Sequence, residues 1–310
     1  MKKKILIAID GSTHSRNAMN YGIMMAGLLN DITFELMHIQ SSISGFLLED
    51  AEKIPAARSE LKFLNEKNKA ASLNLLETSR NQMVKMGVAP DDIEIKTLPR
   101  QYGVADDIVR FAEAGLHDAI LIGRRGVSAL MRIFMGSVTA NILAQSAQIP
   151  VWVVDGEVQS RDFLVAIDGS DQSLRVIKHL AFMLRGSSGA NITIMSVKPM
   201  MSDYCDIDAT AGQIEALERS IGDSYRKCIA DFRPKAIHLL EEAGLRDDRF
   251  RFRTIEKALS PARAIIEETE KNGYGTIIIG KRGMGTDAYM GRITSAVIQK
   301  ISNNALWIVP

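Results

Sequence analysis

Short apolar runs alternate with longer segments of helical periodicity along the whole chain. Runs such as Ile5–Ile9 and Ile277–Ile279 are apolar at every position, which is typical of strands that are buried on both faces of a parallel sheet. Between such runs, apolar residues recur at helical spacing, as at Ile214, Leu217 and Ile221. This alternation predicts an α/β fold with helices on both faces of a parallel sheet.

The pattern divides each half of the chain into strands and helices in the same order. In the first half we predict strands at 3–9, 32–39, 93–98, 118–122 and 151–154, and helices at 14–29, 58–86, 104–114 and 137–147. In the second half we predict strands at 162–167, 191–197, 250–255, 275–279 and 305–309, and helices at 171–185, 211–231, 261–271 and 292–303. Segments 41–57 and 198–210 show no regular pattern. Each half is therefore predicted to be a doubly wound domain with a five-stranded parallel sheet.

The two halves also repeat the same sequence motifs. Three segments return in the same order at offsets of 158, 157 and 155 residues: Ile5–Ser12 as Phe163–Ser170, Leu121–Gly126 as Ile278–Gly283, and Val151–Val154 as Leu306–Val309. A repeat of this length indicates a duplicated domain rather than a solenoid unit. We therefore expect one domain over residues 1–155 and a second over residues 160–310, joined by a short polar stretch.

A loop bounded by glycines follows the fourth predicted strand. Gly123-Arg124-Arg125-Gly126 comes directly after that strand, and Gly136-Ser137 follows nine residues later, where a helix is predicted to begin. Glycines let a backbone approach a phosphate, the N-terminus of a helix attracts it, and the two arginines add positive charge. A Walker-type loop would end in Gly-Lys-Ser/Thr, which is absent here. The loop therefore predicts a phosphate site of another kind.

A carboxylate is predicted to lie beside this loop. The first strand ends at Asp10 and the fourth at Gly123. In a doubly wound sheet of order 2-1-3-4-5, or a relative of that order, ligands bind beyond the carboxyl ends of the strands at the switch point. We therefore expect Asp10 to line the crevice that holds the loop, where its partner would be Mg²⁺ or a ribose hydroxyl.

Composition narrows the classes of function. A net charge of +1 gives no overall attraction to nucleic acid or to anionic membranes. No apolar run approaches the ~18 residues that span a bilayer, and the run after Lys2–Lys4 is shorter than the about 7–15 residues of a signal peptide. Cys205 and Cys228 do not suggest a disulfide framework. We therefore expect a cytoplasmic protein that binds neither nucleic acid nor membrane.

Taken together, the motifs resemble those of the universal stress protein family. The resemblance rests on Ile-Ala-Ile-Asp-Gly-Ser at 7–12, on the Gly-x2-Gly-x9-Gly-Ser spacing that begins at Gly123, and on the final strand Pro150–Val154, and it extends over both halves. It implies a Rossmann-like fold of the adenine nucleotide alpha hydrolase type. It also implies membership of the family branch that binds ATP, AMP or ADP, with Mg²⁺ accompanying the nucleotide.

The resemblance assigns roles to individual residues. Asp10 would lie near the ribose and the metal, and Ile39 would offer backbone groups to adenine. The phosphates would be held by Gly123, Gly126, Gly136, Ser137, Val138 and Thr139, with Arg124 and Arg125 beside them. The resemblance further implies that Val151–Val154 pairs with Leu306–Val309 within the chain, and that two chains form a homodimer.

The second half departs from this motif. Only seven residues separate Gly283 from Gly291, Arg292 replaces the serine, and Asp287 places a carboxylate in the shorter loop. Arg292 would either meet a phosphate or fill the site by pairing with Asp168. We therefore expect ATP in the first domain only, and a degenerate second site formed by Asp168, Gly280, Gly283, Gly291 and Arg292.

Every candidate residue also has a structural interpretation. The glycines would serve only as turns and helix caps, Asp10 and Asp168 would stabilise the turns that follow them, and His38 would be a packed or edge residue. The sequence contains no recognisable catalytic triad and no paired carboxylates for acid–base work, so we expect at most slow ATP hydrolysis.

Four classes of function remain open. The first is an ATP-binding stress-response regulator, in which bound ATP orders the 127–135 loop for a protein partner. The second is an ATP-independent interaction module, and the third is a slow ATPase or phosphotransfer enzyme. The fourth is the binding of another ligand, a lipid or a different nucleotide, in the degenerate second site.

Overall fold

The structure is a computed structural model that describes residues 2–124, 135–187, 189–198, 211–256, 258, 260–283 and 290–310, with only the backbone of 211 and 212. The described chain divides into two compact units. The first unit runs up to Val153, apart from Gly27–Asn30, which cluster with the second, and the second unit runs from Val154 to Pro310.

The first unit alternates strands and helices. Its described strands are β1 (Lys3–Ala8), β2 (Ile32–Ile39), β3 (Ile93–Leu98), β4 (Ala119–Gly123) and β5 (Val151–Asp155). Its described helices are α1 (Thr13–Ala26), α2 (Gly45–Lys53), α3 (Pro55–Lys85), α4 (Val104–Ala114) and α5 (Ser137–Gln145).

The second unit repeats this plan. Its described strands are β6 (Phe163–Ile167), β7 (Ile192–Val197), β8 (Phe250–Ile255), β9 (Thr276–Gly280) and β10 (Asn304–Val309). Its described helices are α6 (Asp171–Leu184), α7 (Ala211–Glu242), α8 (Pro261–Asn272) and α9 (Arg292–Lys300).

The strands lie in the order β3-β2-β1-β4-β5 in the first unit and β8-β7-β6-β9-β10 in the second. The recorded strand pairs within each unit are parallel. In the first unit α1 contacts α3 and α4 contacts α5, as expected for helices that cover the two faces of the sheet. The predicted doubly wound α/β fold is confirmed. The strand order in each unit is 3-2-1-4-5, a relative of the order 2-1-3-4-5, and the first and fourth strands are neighbours. The switch point of the first unit therefore lies between β1 and β4.

Apolar side chains from both faces of each sheet form the cores. Ile5, Leu6 and Ile7 of β1 are all fully buried, which explains why consecutive positions of this strand are apolar. On β5 the fully buried Trp152 packs edge-on against Tyr21 of α1, with ring centroids 6.3 Å apart. The repeated apolar runs of the sequence are therefore the central strands.

Two helices differ most from the sequence prediction, beyond shifts of up to three residues at the ends of others such as α1 and α9. Helix α2 lies in the segment 41–57 that showed no regular pattern, because only Ala51 of this helix is buried. Helix α7 was predicted to end at residue 231 but continues to Glu242 through Pro234. It continues because Ala236 and Leu240 are fully buried beyond the proline, so packing outweighs the hydrogen bond that proline removes.

Candidate functional site

The loop after β1 is a hydrogen-bonded turn at the carboxyl edge of the first sheet. Asp10 Oδ1 accepts a hydrogen bond from the Ser12 N–H at 2.9 Å, and Gly11 has a φ of +78°, which favours glycine. Ser12 Oγ accepts a hydrogen bond from the Ser15 N–H at 3.2 Å, at the start of α1. Asp10 therefore has the structural role that the sequence allowed, and it is also exposed at this edge.

Gly123 ends β4 where the first turn of α1 passes very close. A Cβ atom at this position would lie 2.3 Å from the carbonyl oxygen of His14 and 2.4 Å from its carbonyl carbon. Gly280 of the second unit is similarly crowded, since its Cβ would lie 2.6 Å from Cγ of Gln172. Both glycines are therefore required by strand–helix packing, whatever else they do.

The start of α5 is joined to the end of β4. Thr139 is buried, and its Oγ1 donates a hydrogen bond to the Gly123 carbonyl at 3.3 Å. Gly136 precedes the helix without a side-chain cap, while Ser137 and Val138 are exposed. The backbone N–H groups of the first turn have no acceptor within the helix, which is the arrangement that favours an anion at a helix N-terminus.

The cationic part of the predicted loop is only partly described. Arg124 is buried, with 6% of its surface exposed, and Lys281 takes the equivalent position in the second unit with the same exposure. Burial lowers the pKa of Lys281, and the nearby Arg282 lowers it further. Arg125, Gly126, residues 127–134 and Asp287 lie outside the described residues.

Ile39 ends β2 beside the end of β1. The Ile9 N–H donates to the Met37 carbonyl at 2.8 Å, and the Gln40 N–H donates to the Leu98 carbonyl of β3 at 2.8 Å. Because backbone groups alternate along a strand, the N–H and C=O of Ile39 lie on the same side as those of Met37, towards β1. Strand β1 has already ended there, so this donor and acceptor border the crevice beyond it.

A polar cluster that the sequence analysis missed lies next to this strand end. His38 Nδ1 is 2.6 Å from Ser72 Oγ of α3, and Ser72 Oγ is 2.5 Å from Thr97 Oγ1 of β3. Gln40 Nε2 donates to Thr97 Oγ1 at 3.1 Å. Burial lowers the pKa of His38, and the charge of nearby Asp10 opposes this effect.

The family comparison agrees with the motif and with the fold. The family model described as the Universal stress protein family matches residues 1–155 and again 160–309. The chain belongs to the universal stress protein family. The resemblance inferred from the motifs is therefore confirmed, together with its tandem arrangement.

Individual family members match one half or the whole chain. A universal stress protein of Mycolicibacterium smegmatis is 23% identical over 317 residues, covering 99% of this chain and 97% of the relative. Universal stress protein YxiE of Bacillus subtilis is 26% identical over 161 residues, covering 50% of this chain and 99% of its own. The crystal structure of a universal stress protein from Archaeoglobus fulgidus has the same fold, with a TM-score of 0.63 at 17% identity over 99% of this chain and 97% of that one.

The corresponding edge of the second unit is more enclosed. Asp168 is half-buried, and its Oδ1 accepts hydrogen bonds from the Ser170 N–H (3.0 Å), Ser170 Oγ (2.5 Å) and Ser173 Oγ (2.7 Å). A Cβ atom on Gly283 would lie 3.0 Å from Asp168 Oδ2. Arg292 is the exposed first residue of α9. The repeat therefore keeps the turn, but its carboxylate residue is less exposed than Asp10.

The polar cluster also changes between the units. By strand register Ser196 takes the place of His38. Tyr225 of α7 bonds Ser196 as Ser72 of α3 bonds His38. The Tyr225 hydroxyl donates to Ser196 Oγ at 2.7 Å. A Cβ atom on Gly169 would lie 2.6 Å from Cys228 Sγ, whereas one on Gly11 would lie 3.5 Å from Leu75. Helix α7 therefore fits more tightly over its turn than α3 does.

The described residues contain neither a cluster of metal ligands nor a membrane-spanning helix. No group of three or more histidine, cysteine, aspartate or glutamate residues is arranged there to hold a metal ion. None of the helices described in the structure is long and apolar enough to cross a membrane.

Proposed function

We propose that the first unit binds an adenine nucleotide, ATP in particular, and that this universal stress protein acts as a nucleotide-dependent regulator rather than an enzyme of high turnover. One observation carries the proposal. The switch point between β1 and β4 brings together the exposed Asp10, the outer backbone groups of Ile39 and the open first turn of α5.

The start of α5 would hold the phosphates. Its first-turn N–H groups and the helix dipole favour negative charge, and Ser137 adds a hydroxyl at the exposed end. The Thr139 hydroxyl is already bonded to Gly123, so Thr139 would contribute its backbone N–H. Arg124, Arg125 and Gly126 are proposed to complete the phosphate site.

The nucleoside would lie towards β2. The N–H and C=O of Ile39 match the acceptor ring nitrogen and the amino donor on one edge of adenine. Asp10 would accept a hydrogen bond from the ribose. A magnesium ion is usually bound through one or two carboxylates together with substrate phosphates. Asp10 is the carboxylate at this edge, which fits a metal that arrives with the nucleotide.

The second unit is proposed to be a degenerate site. The half-buried Asp168, with its serine partners, supports this proposal, as does the closer approach of Cys228 to its turn. Homodimer formation remains a prediction of the family resemblance. A protein partner remains a prediction from the 127–135 loop, and a cytoplasmic location remains a prediction from the composition.

Calorimetric titration of the nucleotide-stripped full chain tests the proposal. ATP with Mg²⁺ is expected to bind at one site per chain, and GTP is expected to bind at least about tenfold more weakly because its ring edge carries the opposite pattern of donors and acceptors. Two equal ATP sites would contradict the asymmetry. No binding of ATP, ADP or AMP would refute the proposal and favour the ATP-independent interaction module.

A further inference from the structure

The His38 cluster forms a chain of hydrogen bonds whose direction is fixed at one end, by Gln40. The Gln40 amide nitrogen donates to Thr97 Oγ1, because an NH₂ group has no acceptor capacity. The Thr97 hydroxyl is then able to donate to Ser72 Oγ, and Ser72 to His38 Nδ1. In this arrangement Nδ1 is an acceptor, so the proton of the neutral imidazole is on Nε2.

The neutral form of His38 is favoured by its surroundings. The side chain is half-buried between β2 and α3, and this burial lowers its pKa. The second ring nitrogen, Nε2, lies on the far side of the ring from Ser72. Because Nδ1 is bonded to Ser72 of α3, Nε2 is the ring nitrogen left for another partner, and His38 lies one residue before the carboxyl end of β2.

Asp10 lies at the same carboxyl edge of the sheet as His38. The β1–β2 register pairs Ala8 with Met37, which brings the next residues of the two strands, up to Asp10 and His38, to this edge. The charge of Asp10 also acts on the pKa of His38. A carboxylate acceptor and an imidazole donor at one edge suit two neighbouring hydroxyl groups, because each hydroxyl both donates and accepts.

We propose that His38 Nε2 donates a hydrogen bond to one ribose hydroxyl of the bound nucleotide while Asp10 accepts one from its neighbour, so that the first unit selects ribonucleotides over deoxyribonucleotides. This inference rests on the proposed function. His38 is the contacting residue, and Ser72 is a positioning residue that fixes its tautomer.

The second unit offers a natural comparison. Ser196 stands at the position of His38 and is hydrogen-bonded to Tyr225 and, at 3.3 Å, to Thr254. A serine at this position is too short to reach the place that Nε2 of a histidine occupies. The substitution His38→Ser therefore removes the N–H donor, and it introduces the residue that the second unit already has at this position.

The first experiment compares the affinities of AMP, 2′-deoxy-AMP and 3′-deoxy-AMP for the full chain. The native chain is expected to bind AMP about tenfold more tightly than at least one of the deoxy forms, which corresponds to one lost hydrogen bond. In His38→Ser the AMP affinity should fall to that of the deoxy form. Ser72→Ala should lose part of the preference. Ser79→Ala is the matched control, because this buried serine of α3 bonds only the Leu75 carbonyl of its own helix.

Three results are decisive. An equal loss of affinity for AMP and both deoxy forms in His38→Ser would overturn the proposal, since a merely structural role lowers all three together. A native chain that makes no distinction between AMP and either deoxy form would also overturn it. If no adenine nucleotide binds to the native chain, the proposed function itself fails. If AMP binds but is not preferred over the deoxy forms, only the proposed selection of ribonucleotides fails.

A second experiment needs no nucleotide. Nitrogen-15 NMR of the chain with isotope-labelled histidine side chains reports the tautomer of each imidazole ring directly. We expect His38 to carry its proton on Nε2 in the native chain and in Ser79→Ala, and to become a mixture of tautomers in Ser72→Ala. A proton on Nδ1 in the native chain would reverse the hydrogen-bond chain and overturn the proposal.

Discussion

At the scale of single residues, a glycine at a candidate site has two separable roles. Gly123 was expected to let the backbone approach a phosphate, yet the main chain of His14 already leaves no space for a Cβ atom. A substitution at Gly123 therefore changes folding before it reports on ligand binding. Probes of the site have to be placed on exposed residues such as Ser137 and Val138 instead.

Gly123→Ala is expected to destabilise the first unit. The added methyl group meets backbone atoms of α1 rather than a flexible side chain, so the cost should be about 1–3 kcal/mol of unfolding free energy. Gly45→Ala in α2 is the control, since no atom lies within 4 Å of its Cβ position. Urea denaturation of both variants checks this, and equal midpoints would contradict the packing role of Gly123.

His179 is expected to make the stability of the second unit depend on pH. Burial in α6, where the ring lies 5.7 Å from that of Trp307, lowers its pKa to about 3. Because the pKa in the unfolded chain is near 6.5, the unfolded state takes up a proton first as the pH falls. Stability attributable to this residue is therefore present above about pH 6.5 and is lost towards pH 3.

His179→Phe should weaken that acid response. The native chain is expected to lose up to about 1.4 kcal/mol of unfolding free energy per pH unit through this residue between pH 6 and 4. The variant keeps an aromatic ring beside Trp307 but does not titrate. Denaturant midpoints measured across this pH range check the prediction, and an identical pH slope in both proteins would contradict it.

At the scale of elements, the sequence predicts the strands better than the helix ends. Strands β1 and β9 contain the continuous apolar runs Ile5–Ala8 and Ile277–Ile279, because both faces of these strands are covered. Helix α2 carries no such signal, since Phe46 is 82% exposed and little of the helix is buried. The His38 cluster was missed for another reason. Its partners lie 34 and 25 residues apart in sequence, so only the folded sheet brings them together.

Pro234 lies inside helix α7, where a proline is unusual, and its effect on stability is measurable. Pro234 is exposed in the interior of α7 and cannot donate a hydrogen bond to the carbonyl four residues earlier. Pro234→Ala should restore that bond and raise the unfolding free energy by about 1–3 kcal/mol. The neighbouring exposed Lys235→Ala serves as control. A Pro234→Ala chain no more stable than the control would show that α7 has adapted to its proline.

At the scale of the whole molecule, the two units share one fold but differ at the carboxyl edges of their sheets. Both units share the strand order and the Asp-Gly-Ser turn. They also share a hydrogen bond from a threonine of the last helix to the end of the fourth strand. Thr294 Oγ1 donates to the Gly280 carbonyl at 2.8 Å, as Thr139 does to that of Gly123. The differences lie in the exposure of Asp10 and Asp168 and in the residues around them. The sequence predicts this asymmetry from the shortened loop, while the tighter packing of α7 becomes visible only in the structure.

The central claim is that nucleotide binds at the start of α5 and not at the start of α9. Val138 and Ile293 are matched second residues of these helices, 36% and 39% exposed, and a glutamate near a helix N-terminus does not oppose folding. The most direct test is to titrate Val138→Glu and Ile293→Glu with ATP and Mg²⁺. We predict that Val138→Glu abolishes the single site through charge repulsion while Ile293→Glu keeps native affinity. Loss of binding in Ile293→Glu, or unchanged binding in Val138→Glu, would contradict the claim.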